Sequence, residues 1–436
     1  MTDDSRTPVN LATRLRKIAM VGGVETFGVI AGGIAGLLIV NVLPKDAYAS
    51  YTFLTACLTL LLGVTDLGLA HCCLPVVGQR AREIPWVVGA CRQVFYRRWL
   101  LLVVGLAIVV PYWFVNSRGH GWLNGGYLLA SAVALVGVLF TLREHYLGTV
   151  LTILGHVTSL SRIGLTSTVV RIALVCAVLA LPLGPWAVAG VVAATVVASS
   201  VSILLIRRDF AEREIPDTRL DAADAKRVDA QVIRIAKPLV LPAIFYQLQG
   251  VITVFLVSLF GTSSMVAEVG AFGRLAMALV VVDRVTHILL FPAIARAEAG
   301  QALRAIVWRA HVSYLGMMAL VLLSAYFLPQ YWILLLGEKY RSLEPLVWML
   351  FLSSILAAAA GFAFSSLTVR GATAGQSYSI LVTLAVQSLY LAVIGVSDLR
   401  SVLGFSIATG VANVIFQYGL LALRWRQWGA DSQVRR

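Results

Sequence analysis

Charged side chains are scarce in this 436-residue chain: Asp, Glu, Lys and Arg together make up 13%, against 59% hydrophobic residues. A soluble globular protein carries about 25% charge. Too few charges are present to coat a water-facing surface, and the mean hydropathy of +0.86 excludes a soluble class. Cysteine is equally sparse. The five, Cys57, Cys72, Cys73, Cys91 and Cys176, form no CxxC and lie in or beside apolar runs, so they read as small buried hydrophobes rather than disulfides or metal ligands. Six histidines show no HExxH or comparable ligand spacing, which argues against a metal site, and no cofactor is expected. Neither a GxxxxGKS/T phosphate loop nor a GxSxG elbow occurs, so ATP-driven work by this chain alone is not expected.

What the sequence does hold is apolar runs. A membrane-crossing helix needs about 20 such residues. Twelve candidates stand near 19–43, 48–77, 98–115, 125–153, 163–182, 186–206, 238–260, 265–293, 310–328, 346–369, 376–396 and 401–423. They are continuous and long, without the alternation over about ten residues of a membrane barrel, so helices are expected. The first run follows Arg14, Arg16 and Lys17 and precedes Ala47-Tyr48-Ala49. It exceeds the roughly 7–15 residues of a signal-peptide core and is expected to remain as a span. The fold class is therefore an all-α polytopic membrane protein.

The one long charged run is Arg207 to Lys237, where 15 of 31 residues are charged. It cannot sit in hydrocarbon and reads as a hinge-like water-exposed connector. The expected organisation is a six-helix lobe at 1–206, the connector at 207–237 and a second six-helix lobe at 238–436. With the N-terminus in the cytoplasm, 26 basic residues fall on inner segments and 5 (Lys45, Arg118, Lys339, Arg341 and Arg400) on outer ones. That asymmetry puts both termini and the connector inside, and it explains the net charge of +14 without nucleic acid. Outer loops are short, the longest about 16 residues near Gln330 to Pro345. A sugar polymerase or ligase would need a sizeable outer catalytic loop. Six plus six spans starting on the same side imply parallel repeats about an axis along the membrane normal.

Ionisable side chains inside spans cost about 2.5–3.5 kcal/mol each on insertion scales and face protein or water. They are Glu25, Asp66, Arg143, Glu144, Arg171, Arg274, Asp283 and Arg284. The first five lie toward the cytoplasmic side of the first lobe, where an interhelical ion network is an alternative to a functional role. Asp66, two residues before Gly68, also suits a helix end. Arg274 and Arg284 stand ten residues apart, a rotation of about 1000°, so they lie roughly 80° apart and can line one broad wall. Snorkelling to the outer surface is the plainer alternative for Arg274. Asp283 points away from Arg274 and stands four residues before His287. A cationic wall within a span suits an anionic substrate such as a phosphate. Gln247, Gln249, Gln387, Asn413 and Gln417 add polar amides, each more commonly a helix–helix hydrogen bond than a ligand contact. Gly28, Gly32 and Gly36 match the small-residue packing pattern. Tyr112, Trp113, Trp122, Tyr331, Trp332, Trp425 and Trp428 read as interfacial anchors.

Four stretches carry a family resemblance. Leu43 to Tyr51 followed by Asp66-Leu67-Gly68-Leu69, Val269 to Ala276, Phe291 to Arg296, and Leu335 to Tyr340 together resemble the Wzx-type polysaccharide flippases, within the superfamily that includes the MATE exporters. The early acidic-and-basic signature of the peptidoglycan lipid flippases is absent. The resemblance implies two six-helix lobes in a V around a central cationic cavity. It further implies alternating access that carries an undecaprenyl-pyrophosphate-linked oligosaccharide from the inner to the outer leaflet of a bacterial cytoplasmic membrane. Arg274, Arg284, Arg171 and Arg143 would then contact the anionic head, and Glu25, Asp66 and Asp283 would serve coupling or ion pairing. Membrane lipids, a polysaccharide polymerase and export components are the expected partners. The alternatives are a MATE-like cation-coupled exporter, which would want an acidic cavity, and a non-transporting component of a polysaccharide assembly complex.

Overall fold

The computed structural model describes residues 11–297, 300–370 and 375–434. Fifteen α-helices run in chain order: α1 Leu11–Val42, α2 Lys45–Asp66, α3 Leu69–Val77, α4 Ile84–Gly119, α5 Gly125–Ile153, α6 Val157–Ala180, α7 Ala187–Glu212, α8 Ala222–Ala236, α9 Val240–Phe260, α10 Ser263–Arg296, α11 Gln301–Phe327, α12 Pro329–Leu334, α13 Val347–Val369, α14 Tyr378–Val393 and α15 Leu399–Val434. No strand occurs among the described residues. Among the described residues, ten helical segments are long and apolar enough to cross a membrane, with two further apolar stretches at Thr26–Val42 and Tyr378–Val393. With these two included, every one of the twelve apolar runs is helical, eleven as one helix and the run at 48–77 as two. In hydrocarbon the backbone must satisfy its own hydrogen bonds, and apolar runs of this length do so as helices. The chain is a multi-pass membrane protein.

One boundary differs from the reading at 48–77. The helix stops at Asp66, where Leu67 (φ 38°) and Gly68 (φ 83°) turn left-handed, and α3 restarts at a new angle. Asp66 drives the break. Its carboxylate accepts from the Ala70 N–H at 3.1 Å, capping α3, and pairs with Arg98 of α4.

The connector also differs from a plain hinge. Asp221 caps α8 by accepting from the Asp224 N–H at 2.7 Å. Val228, Val232 and Ala236 recur every four residues and are all buried, so α8 lies with one apolar stripe against α3 and α4. Ion pairs from Arg92 to Asp217 (2.6 Å) and from Arg97 to Asp229 (3.0 Å) hold the segment to α4. The charged run thus folds onto the N-terminal half, and only one face of it meets water.

Two aromatic readings need correction. Trp113 and Trp122 are each only 5% exposed and belong to the core. Trp113 donates to the Tyr127 hydroxyl at 2.8 Å, and Trp122 stacks on His120 at 4.5 Å. Tyr331 is exposed, as an interfacial anchor would be, and the Trp428 side chain lies outside the described residues. Among the cysteines four are buried and Cys176 is exposed; all five are free.

The two halves meet through α1 and α2 on one side and α9 and α10 on the other. The contact pairs α1 with α10 and α2 with both α9 and α10. Helix α1 is wedged between α10 of the far half and α6 of its own.

Candidate functional site

The wedged helix carries the site. Gly32 and Gly36 stand one turn apart on one face of α1, about 6 Å along the axis. A methyl group on Gly32 would come within 3.2 Å of the Arg171 Nη2 atom. One on Gly36 would stand 2.9 Å from the Arg274 Cδ and 3.2 Å from its Nε and Nη1 atoms. The small-residue pattern therefore serves here to admit two guanidinium groups, one from each half of the molecule. Arg171 lies 14 residues into α6, about 21 Å from the connector face and nearer mid-membrane than its sequence position suggested.

Arg274 is half-buried and turned toward α1 and α2. Its guanidinium faces the phenols of Tyr48 and Tyr51 on α2. It also donates to the Met277 sulfur at 3.9 Å. Neither Arg171 nor Arg274 has a carboxylate partner among the described residues. Two guanidinium groups that face protein, with no carboxylate partner among the described residues, have the chemistry that suits an anion.

The other sequence candidates fall elsewhere. Asp283 lies on α10 and accepts from the Tyr314 hydroxyl of α11 at 3.3 Å. Arg143 is exposed on α5, near Arg98 and Tyr146 toward the connector face. Asp66 caps α3 and pairs with Arg98, as above. The side chains of Glu25 and Arg284 lie outside the described residues.

Beside the interface, a cavity of about 820 Å³ opens within the C-terminal half, between α9, α10, α13, α14 and α15. No charged side chain lines it among the described residues. Its polar wall consists of amides and hydroxyls. Gln249 and Gln387 exchange hydrogen bonds at 3.0 and 2.7 Å, Thr383 donates to Asn413 at 3.0 Å, and Gln417 donates to Gln376 at 2.9 Å. These amides bond to one another, as isolated polar residues in spans commonly do, yet several also border open space. Such a wall offers neutral donors and acceptors, the chemistry that hydroxyl-rich ligands use.

The face opposite the connector is clamped between halves. Lys45 pairs with Glu268 at 2.6 Å. The Asn41 amide donates to the Leu335 carbonyl at 2.8 Å, and Lys339 donates to the carbonyls of Leu43 (2.5 Å) and Asn41 (3.1 Å). His120 bonds the Ser258 carbonyl at 2.8 Å, and Tyr112 the Ser258 hydroxyl at 3.0 Å. Sequence reasoning missed Glu268 as an in-span acid, because it stands only five residues from the start of α10. Arg98 was missed because it reads as part of a basic inner loop, although it is only 4% exposed.

No family model and no curated protein sequence matches the chain. Solved structures do, and over nearly its whole length. An inward-facing multidrug resistance MATE family transporter of the MOP superfamily is similar with a TM-score of 0.66 at 13% identity, over 91% of this chain and 95% of that one. A MOP superfamily transporter from Pyrococcus furiosus, described as having a binding pocket of reverse polarity that suggests a different function, is similar with a TM-score of 0.57 at 14% identity, over 94% and 96%. A mutant form of the Vibrio cholerae MATE transporter VcmN is similar with a TM-score of 0.56 at 18% identity, over 95% and 96%. The chain shares its fold with these solved transporters.

Proposed function

We propose that this chain is a membrane transporter that moves an anionic amphiphile between its halves, and that the cargo is an undecaprenyl-pyrophosphate-linked oligosaccharide. The carrying observation is the convergence of Arg171 and Arg274 on the Gly32–Gly36 face, with no carboxylate partner for either among the described residues. A pyrophosphate cannot cross hydrocarbon unaided, and a pair of guanidinium groups matches its oxygens. The amide and hydroxyl wall of the neighbouring cavity suits sugar hydroxyls, while a lipid tail would remain in the bilayer.

The connector face is read as cytoplasmic, with both termini on that side of a bacterial cytoplasmic membrane. The clamp from Lys45 to Glu268 then closes the outer side, and loading occurs from within. With the interior negative, outward movement of negative charge is favoured by about 2.3 kcal/mol per charge per 100 mV. Partners on this reading are the lipid-linked sugar itself and the polymerase and export components that receive it.

A second reading, a cation-coupled small-molecule exporter, is favoured by the similarity of the whole fold to MATE transporters. Against it stands the absence of an acidic side chain among the described residues that line the cavity. Reconstitution in vesicles separates the two. The proposal expects a fluorescent pyrophosphate-linked oligosaccharide lipid to change leaflets in a protein-dependent manner. Cation-coupled efflux of organic cations with no movement of the labelled lipid would overturn it.

A further inference from the structure

We propose a second anion site, for the phosphodiester headgroup of an anionic membrane lipid, on the lipid-facing side of α4 and α5 near the connector. A cavity of about 220 Å³ lies there between the two helices, separate from the one in the C-terminal half. Arg92, Arg98 and Arg143 line it, together with Tyr146, Trp99 and Asp217.

Arg98 is the anchor. Its side chain is 4% exposed; one nitrogen pairs with Asp66, while Nε and Nη1 are buried with no hydrogen-bond partner. Buried guanidinium N–H groups left unbonded are costly, so a ligand that supplies acceptors there is favoured. Arg143 adds an exposed cation with no carboxylate partner among the described residues. Phosphate oxygens are acceptors of the required geometry.

The surroundings specify a lipid. Trp99 is 42% exposed at the rim, the placement of an interfacial aromatic. Leu100 and Val103 continue one exposed apolar face of α4 away from the cavity and along the membrane normal. On α5, Leu139 stands one turn deeper than Arg143 and is also exposed. Acyl chains fit such a track. Free phosphate would use the arginines and leave the track bare.

The connector closes the cavity. Asp217, from the segment between α7 and α8, holds Arg92 at 2.6 Å. A phosphate entering the site competes with this carboxylate for Arg92. Headgroup binding is thereby linked to the segment that joins the two halves.

The test measures phosphatidylglycerol and phosphatidylcholine binding to the purified full-length protein by native mass spectrometry, with inorganic phosphate as a third arm. Phosphatidylglycerol is expected to bind at least about fivefold more tightly than phosphatidylcholine. Arg143→Gln should weaken phosphatidylglycerol by about fivefold. Asp217→Asn, which removes the competing carboxylate, should strengthen it by about threefold. Both positions are exposed, so neither variant depends on tolerance of a core change. Inorganic phosphate binding as tightly as the lipid would overturn the lipid assignment. Equal phosphatidylglycerol affinity in the parent and both variants would overturn the site. Because the readout is binding and not transport, these outcomes are independent of the cargo proposed above.

Discussion

The Cδ atom of Arg274 lies where the side chain of residue 36 would begin: a methyl group on Gly36 would stand 2.9 Å from it. An arginine of one half of the molecule is thus accommodated by a missing side chain in the other. The relation makes a glycine substitution informative, because the crowded atom belongs to a flexible chain that can move aside rather than to backbone.

Gly36→Ala should therefore fold. Alanine favours a helix interior over glycine by about 0.5–1 kcal/mol, so stability should hold or rise. The guanidinium would be displaced, and translocation of the labelled lipid should fall several-fold. A thermal-unfolding scan beside a vesicle assay separates the two effects. Unchanged transport in Gly36→Val, with its larger side chain, would show that the arginine's seat is unimportant.

Removing charge tests the cations themselves. Arg171→Gln and Arg274→Gln should each lower translocation by about tenfold or more, since a charge-assisted hydrogen bond contributes about 1.5–3 kcal/mol. Lysine in either position should retain part of the activity, for it keeps charge but loses the planar fork. Full activity in the Arg171→Gln, Arg274→Gln double variant removes both from the binding role.

The clamp opposite the connector should behave as a gate. Asn41 and Leu335 belong to opposite halves and are joined by a 2.8 Å hydrogen bond. An Asn41→Cys, Leu335→Cys pair, in a background with the exposed Cys176 replaced, should crosslink under mild oxidation. The oxidised protein should cease transport and recover on reduction. Continued transport by the crosslinked form would show that this face need not open.

At the connector, magnitudes separate packing from charge. Val232 is 1% exposed beneath α8, so Val232→Ala should cost about 1–3 kcal/mol, and Val232→Asp more. Asp229→Asn removes an ion pair whose partners are 30% and 29% exposed, and should cost less than about 1 kcal/mol. Denaturation midpoints in one detergent provide the comparison. A larger loss from Asp229→Asn than from Val232→Ala would mean that charge, not the apolar stripe, docks the connector.

The sequence made the helices legible because a span is a local property: apolar content over about 20 residues determines it. Breaks inside a run were less visible. The turn at Leu67 and Gly68 depends on a carboxylate that both caps α3 and reaches Arg98 across the bundle. The connector helix left a trace in Asp221 and in the fourfold spacing of Val228, Val232 and Ala236, but the density of charge around them obscured it. In-span arginines could be named from sequence, yet not their neighbours. That Arg171 and Arg274 approach adjacent turns of one distant helix is a matter of packing between elements far apart in the chain. Trp113 and Trp122 were misread for the same reason, since a belt position and a core position share one local sequence.

Lys339 reaches across to carbonyl oxygens rather than to acidic side chains. Every amino acid carries that same acceptor, so no point substitution at 41 or 43 deletes it. Sequence drift on the receiving side of this latch is therefore silent, and the whole burden of retaining it falls on a single lysine codon.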